Sequence, residues 1–220
     1  MKAATPSVET TLGIERLAWH DERAAAAMLV RAFAQDPLVK AICGQPEERR
    51  SEKMWWSFRM SLRAHCLSLE PAWILRGENH AVMGVVLVSL TGGRLSGASD
   101  FLFSLRSLWH IGWAAAQRGV EAARAIARHL PAPPFLYVRT LGVDPAIQHR
   151  CLGSKLLTHA LNSLGTPSPA YLETAVESNL RFYSRHGFRC IGTFSAIGVP
   201  VWRLWRPARV EAPIPGPSFG

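Results

Sequence analysis

The segment QHRCLGS, residues 148–154, has residue types that could bind an anion, and it lies directly before an apolar helical pattern. At such a junction the free N–H groups of the first helical turn and the positive end of the helix dipole point at one spot, which attracts phosphate groups. Gly153 and Ser154 are small enough for the backbone itself to approach phosphate oxygens. A glycine and a serine before a helix are also common as simple caps, so the segment alone leaves both interpretations open.

Three polar residues that follow this helix are candidates for acid–base chemistry. Glu173 lies in the apolar strand pattern AYLETAV, where burial would raise the pKa of its carboxyl group and let it accept a proton. Asn179 and Tyr183 are four residues apart in a short helical segment, so their side chains share one face. Each has a structural alternative, since Glu173 could face solvent, Asn179 could cap the helix and Tyr183 could be an ordinary half-buried aromatic residue.

The elements that must position these residues follow from the hydrophobic periodicity. Residues 135–143 predict a strand buried on both faces that leads into the loop, and leucines at helical spacing predict a helix from 152 to 164. Further strands are predicted at 170–176 and as a final pair at 188–196 and 199–205. The anion-binding segment is therefore expected to join a buried strand to an amphipathic helix.

The N-terminal half is predicted to be mainly helical. One helix is expected over 20–37, where Pro37 ends it, and another over 47–69. Residues 71–90 predict a hairpin closed by a Gly-Glu-Asn turn, and a long helix is expected from 99 to 130. In this long helix the residues expected to face inward are Val120, Ala123, Ile126 and Leu130, and those expected to face solvent are Arg118, Arg124 and Arg128.

The order of these motifs resembles the GNAT superfamily of acyl-CoA N-acetyltransferases. The resemblance rests on LGVDP at the end of a strand, then Q-x-x-C-x-G, an amphipathic helix, LETA and NLRFYSRHGF. It covers residues 135–196 and is most similar to the branch that contains puromycin N-acetyltransferase. It implies an α/β fold of the α+β type, with a mixed, strongly twisted central sheet flanked by helices. We expect this fold to form one domain over residues 1–206, followed by a Pro/Gly-rich tail at 207–220.

The resemblance also implies acetyl-CoA as the cofactor and assigns residues to it. Gln148 takes the first position of the family's pyrophosphate loop, Cys151 that of its first glycine and Gly153 that of its second. Gly142 is expected to form a β-bulge, and the N–H group of Val143 to stabilise an oxyanion. The cofactor-binding residues implied are Leu141, Gly142, Val143, Gln148, His149, Arg150, Cys151, Leu152, Gly153, Ser154 and Asn179.

Two further residues are candidates for catalysis. Tyr183 resembles the family's tyrosine that protonates the sulfur of CoA, and Glu173, from its place between apolar residues of a strand, is the leading candidate for the general base. For the acceptor, an aromatic wall would suit an apolar or aromatic amine, although most of its members are expected in the core; they are Trp55, Trp56, Trp109, His110 and Trp113. The expected reaction is direct attack of a small molecule's primary amine on the thioester.

Cys151 departs from the family's pattern. A cysteine at this position needs either a negative φ angle or a side chain that points outward. One interpretation is a harmless small residue in a loop that still binds CoA. The other is a reactive thiol that forms a mixed disulfide with CoA.

Composition limits the remaining function classes. The chain has 220 residues, of which 48% are hydrophobic and 19% charged, and these values are typical of a folded protein with one core. Its net charge of +9 favours an anionic partner, but the basic residues are scattered, so we expect no nucleic-acid partner. Residues 101–116 form the most membrane-like stretch, but they are interrupted by Arg106 and His110, so no membrane partner is expected.

The cysteines point to a reducing environment. Cys43, Cys66, Cys151 and Cys190 are widely separated, which favours neither a zinc site nor a disulfide framework. With no secretory signal expected, the predicted location is the cytoplasm, and the predicted state is a monomer or homodimer. The alternative to an enzyme is a non-catalytic CoA-binding sensor or regulatory protein with a degenerate loop.

Overall fold

The computed structural model describes residues 13–77, 80–91, 109–163 and 168–208. The predictions for 99–108, for part of the hairpin turn and for most of the C-terminal tail lie outside these residues. No helix within the described ranges is both long enough and apolar enough to cross a membrane.

A seven-stranded mixed sheet forms the centre of the protein, with the strand order β1-β2-β3-β4-β5-β7-β6. Neighbouring strands are antiparallel except for β4 and β5, which run parallel. The strands are β1 Gly13–Arg16, β2 Ala72–Arg76, β3 Val82–Thr91, β4 Phe135–Val143, β5 Ala170–Thr174, β6 Arg189–Ala196 and β7 Val199–Arg206. The prediction of a mixed sheet flanked by helices is confirmed. Strand β1 was not predicted.

Within the described residues, six α-helices with complete bounds pack on the two faces of the sheet. The helices are α1 Glu22–Ala32, α2 Pro37–Cys43, α3 Arg50–Leu67, α4 Trp113–Ala127, α5 Leu152–Asn162 and α6 Asn179–Ser184. Helices α5 and α6 pack in one core cluster with side chains such as Val86 and Leu172 of the sheet. Helices α1 and α3 pack in a second cluster with Ile74, Val85 and Leu87. Because Val85 and Val86 are neighbours in one strand, their side chains point to opposite faces, and the two clusters lie on opposite sides of the sheet.

The leucine pattern of α5 is the clearest link between sequence and packing. Leu152, Leu156, Leu157 and Ala160 recur at helical spacing and are all buried. Full burial of each leucine contributes about 1.5–3 kcal/mol, so this stripe fixes which side of α5 faces the sheet. The N-terminus of α5 is thereby fixed beside the end of β4.

The predicted long helix is interrupted by Gly112. Residues 109–111 are helical, but Gly112 has a φ angle of 83°, and α4 begins only at Trp113. The prediction of its inward face is wrong, because Ala122 and Ala125 are buried whereas Val120 is 46% exposed. Ala122 and Ala125 belong to the third core cluster, together with Ala175, Ala196 and Val201, and their small side chains let α4 approach these residues closely.

Pro37 starts a helix instead of only ending one. Helix α1 ends at Ala32, and the Asp36 carboxylate then accepts a 2.9 Å hydrogen bond from the N–H group of Val39 at the start of α2. An aspartate at the cap followed by a proline in the first helical position is a recognised start signal. The sequence therefore contained the signal for α2, which was not used in the prediction.

Strands β4 and β5 pair only where they begin. Leu136 pairs with Ala170 and Tyr137 with Tyr171, and no further pairs follow although β4 continues to Val143. The pairing of β3 with β4 skips Arg139, because Leu87 pairs with Thr140 and Val88 with Val138. The bulge therefore lies at Arg139, and the prediction of a bulge at Gly142 is wrong. The two strands diverge beyond this point and leave a gap in the middle of the sheet.

Candidate active site

The gap is lined by main-chain groups of β4. The N–H group of Asp144 donates to the carbonyl oxygen of Met83 on β3, and Val143 lies opposite Gly84. In this antiparallel pattern the main-chain groups of Val143 and Leu141 point away from β3, because alternate residues face alternate neighbours. Two N–H groups therefore face the gap, where an extended ligand could pair with them as a further strand would.

Gly142 allows α1 to approach the sheet closely. Its main chain faces β3, and a Cβ atom at this position would lie 2.8 Å from Cδ2 of Leu29 and 3.1 Å from the ring of Phe33. Such distances are shorter than van der Waals contact, so only glycine fits without a shift of α1. Gly142 thus sets how near α1 lies to the gap.

Two residues of the loop before α5 have a left-handed backbone. Cys151 is the N-terminal cap of α5 and has a φ angle of 58°, and His149 has a φ angle of 67°. Both side chains are exposed. The positive φ angle excludes the first of the two possibilities for Cys151, a negative φ, and the exposure of its side chain agrees with the second. The left-handed conformation costs about 1–2 kcal/mol for a residue with a Cβ atom.

Gly153 lies where the cradle meets α6. A Cβ atom there would be 3.6 Å from the ring of Phe182 and 3.7 Å from Val143, which are ordinary contact distances. The protein's own packing therefore does not require glycine at this position. A ligand whose oxygens approach the main chain would require it.

Two side chains of the loop are occupied by internal hydrogen bonds. The amide nitrogen of Gln148 donates to the carbonyl oxygen of Val143 at 3.1 Å, and the hydroxyl of Ser154 lies 3.0 Å from Nε2 of His186. These bonds tie the loop to β4 and to His186, two residues beyond the end of α6. An anion would therefore bind mainly to the free N–H groups of the first turn of α5, and less to these side chains.

Asp144 holds the start of the loop through hydrogen bonds. It is buried; its Oδ1 accepts from the N–H group of Ala146 at 3.0 Å, and its Oδ2 accepts from Nε of Arg31 at 3.0 Å. Arg31 belongs to α1, so one carboxylate joins α1, the end of β4 and the start of the loop. Asp144 and Arg31 were missed because their pairing spans 113 residues of sequence.

Tyr183 presents its hydroxyl from a buried ring. The side chain is only 8% exposed and packs against Phe182 and Phe188, yet its hydroxyl forms no hydrogen bond with any described residue. Burial, and then the negative charge of Asp36, raise the pKa of Tyr183. The phenol is therefore held in its protonated form, in which it can donate a proton.

Asn179 is held at the start of α6. Its side-chain nitrogen donates to the hydroxyl of Thr174 at 3.3 Å, and Ser178, not Asn179, is the cap residue of the helix. The bond joins α6 to the end of β5, next to the gap. Asn179 and Tyr183 lie on the same helical face, as their spacing predicts.

Glu173 lies on β5 and is bridged to β4. The hydroxyl of Tyr137 donates to Oε2 of Glu173 at 2.7 Å, across the point where the two strands begin to diverge. Burial raises the pKa of Glu173, and the hydrogen bond from Tyr137 opposes that effect. The expected raised pKa thus agrees with the structure, but the Tyr137 bridge could not be seen in the sequence, because the parallel pairing of β4 and β5 sets it.

The aromatic residues predicted to form an acceptor wall do not share one environment in the structure. Trp56 stacks on His110 with ring centres 3.6 Å apart, and Trp55 packs against the second core cluster. Trp109 and Trp113 are 87% and 65% exposed. Within the described residues, no group of three His, Cys, Asp or Glu side chains is arranged to hold a metal ion.

A sequence model of the acetyltransferase (GNAT) family matches residues 38–188, which include the gap, the loop and Tyr183. The chain belongs to this family. This GNAT protein is similar in structure to a Corynebacterium glutamicum protein described as histone acetyltransferase HPA2 and related acetyltransferase. The two are 22% identical with a TM-score of 0.71, and the match covers 91% of this chain and 98% of that one.

Two further solved structures share the fold of this GNAT protein. Arylalkylamine N-acetyltransferase 2 from Aedes aegypti is 12% identical with a TM-score of 0.54, over 89% of this chain and 97% of the other. An agmatine N-acetyltransferase is 15% identical with a TM-score of 0.50, over 88% and 97% of the two chains. At these identities the likeness shows the fold alone. The family membership shows an acetyltransferase.

Proposed function

We propose that this GNAT protein transfers an acetyl group from acetyl-CoA to a primary amine of a small molecule by direct attack. The observation that carries the proposal is the gap between β4 and β5, which is bordered by the N-terminus of α5 and by α6 with Tyr183, whose hydroxyl has no hydrogen-bond partner among the described residues. A carrier with a diphosphate and a thioester would fit this arrangement, with the diphosphate at the N-terminus of α5 and the thioester near Tyr183. Acetyl-CoA supplies the activated acetyl group.

The residues present fit this cofactor. The main-chain N–H groups of Leu141 and Val143 would pair with the amides of its pantetheine arm, and that of Val143 would also stabilise an oxyanion. The loop and first turn of α5 would hold the diphosphate, namely Gln148, His149, Arg150, Cys151, Leu152, Gly153 and Ser154. Gly142 keeps α1 close to the arm, and Asn179 would hold its end. Tyr183 would donate a proton to the departing thiolate, and Glu173 would accept one from the amine.

The acceptor class rests on several supports. Glu173 and the Tyr137 side chain bonded to it offer a polar and aromatic side of the gap, on the sheet face opposite α5. Two proteins of the same fold are named for small amines, an arylalkylamine and agmatine. Within the family we place the chain near the branch that contains puromycin N-acetyltransferase, on the loop and NLRFYSRHGF motifs. A cytoplasmic location agrees with the four cysteines, which are all free.

Thiol release from acetyl-CoA tests the proposal. The purified protein is assayed with a panel containing 2-phenylethylamine, 1,4-diaminobutane, several amino acids and a peptide with a free N-terminus. Turnover with a small amine and a weaker rate with the peptide is the expected result. Binding of CoA by calorimetry without turnover of any amine would favour the CoA-sensing alternative.

Tyr183→Phe and Gly153→Ala separate the two halves of the site. Tyr183→Phe should lower kcat by about 100-fold and leave CoA affinity unchanged, because general acid catalysis typically contributes 10²–10⁴-fold. Gly153→Ala should weaken CoA binding, because its methyl group enters the diphosphate cradle. Unchanged turnover in Tyr183→Phe would remove this tyrosine from the mechanism.

A further inference from the structure

Each oxygen of the Glu173 carboxylate is either buried or hydrogen-bonded. Its Oε1 is buried and has no hydrogen-bond partner among the described residues. Its Oε2 accepts the 2.7 Å hydrogen bond from Tyr137. The Tyr137 hydroxyl is therefore the group through which Oε2 can exchange a proton without the loss of this bond.

Tyr137 lies where the gap between β4 and β5 begins, and it is partly exposed, as Glu173 is. It belongs to the last residue pair that joins β4 and β5, and its side chain is partly exposed, whereas Tyr171, its partner on β5, is fully buried. Because the Tyr137 hydroxyl donates its hydrogen to Glu173, its oxygen lone pairs are available to accept one. The same hydroxyl can therefore bridge an N–H group in the gap and the buried carboxylate.

We propose that Tyr137 is a catalytic residue that passes the proton of the acceptor amine to Glu173. This inference rests on the proposed function. As the nitrogen attacks the acetyl carbon, its N–H bond breaks and the proton bonds to the oxygen of Tyr137, while the original Tyr137 proton bonds to Oε2 of Glu173. Tyr137 begins and ends as a neutral phenol, and Glu173 gains one proton, which it returns to solvent by the reverse route before the next cycle.

The surroundings of the pair support a relay through a neutral phenol. Burial, and then the charge and hydrogen bond of Glu173, raise the pKa of Tyr137 well above its usual value, so it does not act as a phenolate. The charged and titratable groups that face Glu173 are Tyr137 and Arg139 on β4, Tyr171 on its own strand and Arg203, which lies opposite on β7. Arg139 lies over the Tyr137 ring, 5.8 Å from its centre.

The relay is tested by the pH dependence of Tyr137→Phe. In the wild-type enzyme kcat/KM is expected to rise with pH as Glu173 loses its proton. If Glu173 touched the amine itself, Tyr137→Phe would keep this acidic limb and move it to higher pH, because the lost hydrogen bond lowers the pKa of Glu173. The relay predicts instead that the limb disappears and that kcat falls by about 100-fold. The assay uses the amine of the panel that the wild-type enzyme turns over fastest.

A double variant makes the test independent of folding defects. Glu173→Gln should lower kcat as much as Tyr137→Phe, and the variant with both changes should be no slower than either alone, since residues that act as one unit are not additive. Multiplied losses in the double variant would overturn the relay. So would a Tyr137→Phe enzyme that keeps kcat within threefold of wild type.

Tyr171→Phe is the matched control. It removes a buried phenolic hydroxyl near the same carboxylate, on a side chain that does not reach the gap. It should keep the acidic limb and retain kcat within about threefold; loss of the limb in this variant would contradict the relay. Calorimetry with CoA on each variant shows that the cofactor site is intact. A wild-type protein that binds CoA and acetylates no amine would contradict the proposed function, whereas an active Tyr137→Phe enzyme contradicts the relay alone.

Discussion

Arg31 of α1 donates to Asp144 at the end of β4, and this ion pair joins the helix that borders the gap to the loop that would hold the diphosphate. Asp144 is buried, whereas the Arg31 side chain is 53% exposed. Water can replace the exposed guanidinium of Arg31. The Asp144 carboxylate also accepts a hydrogen bond from the N–H group of Ala146 and so fixes the loop itself. The geometry of the cradle thus depends more on Asp144 than on Arg31.

Asp144→Ala should lower the free energy of unfolding by about 1–3 kcal/mol, because it leaves a loop N–H group without its partner and removes the Arg31 contact. The same variant should weaken CoA binding. Arg31→Gln is the control, since it breaks only the ion pair and should cost less than about 1 kcal/mol. Urea denaturation and calorimetry measure the two effects; equal losses in both variants would contradict the ranking.

Gly142→Ala should lower stability by about 1–3 kcal/mol, because the new methyl group overlaps Leu29 and Phe33 and α1 must shift. The matched control is Gly153→Ala, where the methyl group meets only ordinary contacts and stability should stay within about 0.5 kcal/mol. Thermal unfolding of both variants checks the difference. Similar melting temperatures for the two would show that α1 tolerates the extra group.

Cys151→Gly should raise stability by about 0.5–1 kcal/mol, because glycine adopts the observed φ of 58° without strain and loses only part of that gain to its greater freedom when unfolded. Cys151→Val should lower stability, since β-branched residues are least suited to this conformation. CoA affinity of the glycine variant should stay close to wild type, because the cysteine side chain points outward. Chemical denaturation ranks the three proteins, and a glycine variant less stable than wild type would refute the strain argument.

Glu173→Gln should make the protein more stable at neutral pH by about 0.5–2 kcal/mol, at the expense of activity. The folded state raises the pKa of Glu173, so it binds this proton more tightly than the unfolded chain, and stability falls as the pH rises through the raised pKa. The gain in Glu173→Gln should therefore shrink as the pH is lowered to about 4.5, where the unfolded carboxyl group is also protonated. Urea titrations of both proteins at several pH values measure the difference in their free energies of unfolding. A difference that does not depend on pH would show that the raised pKa of Glu173 is not its cause.

The sequence by itself determined the elements and the chemistry they could carry. Periodicity placed α5, β4 and β5, because a stripe of apolar residues has only one stable way to be buried. Small residues before α5 indicated an anion site, and the order of motifs indicated the family. Local backbone signals were more ambiguous: the start of α2 at Pro37 and the interruption at Gly112 were both missed, although each depends on only a few residues.

Only the tertiary structure decided how far β4 and β5 stay together, and therefore which side chains meet across them. The Tyr137–Glu173 hydrogen bond, the Arg31–Asp144 ion pair and the close approach of α1 to Gly142 all join residues that are distant in sequence. No local pattern encodes such distances, since strand register and helix position result from the packing of the whole core. Candidate residues for the site could be named from the sequence, but the proposed route of a proton between them depends on contacts that exist only in the folded chain.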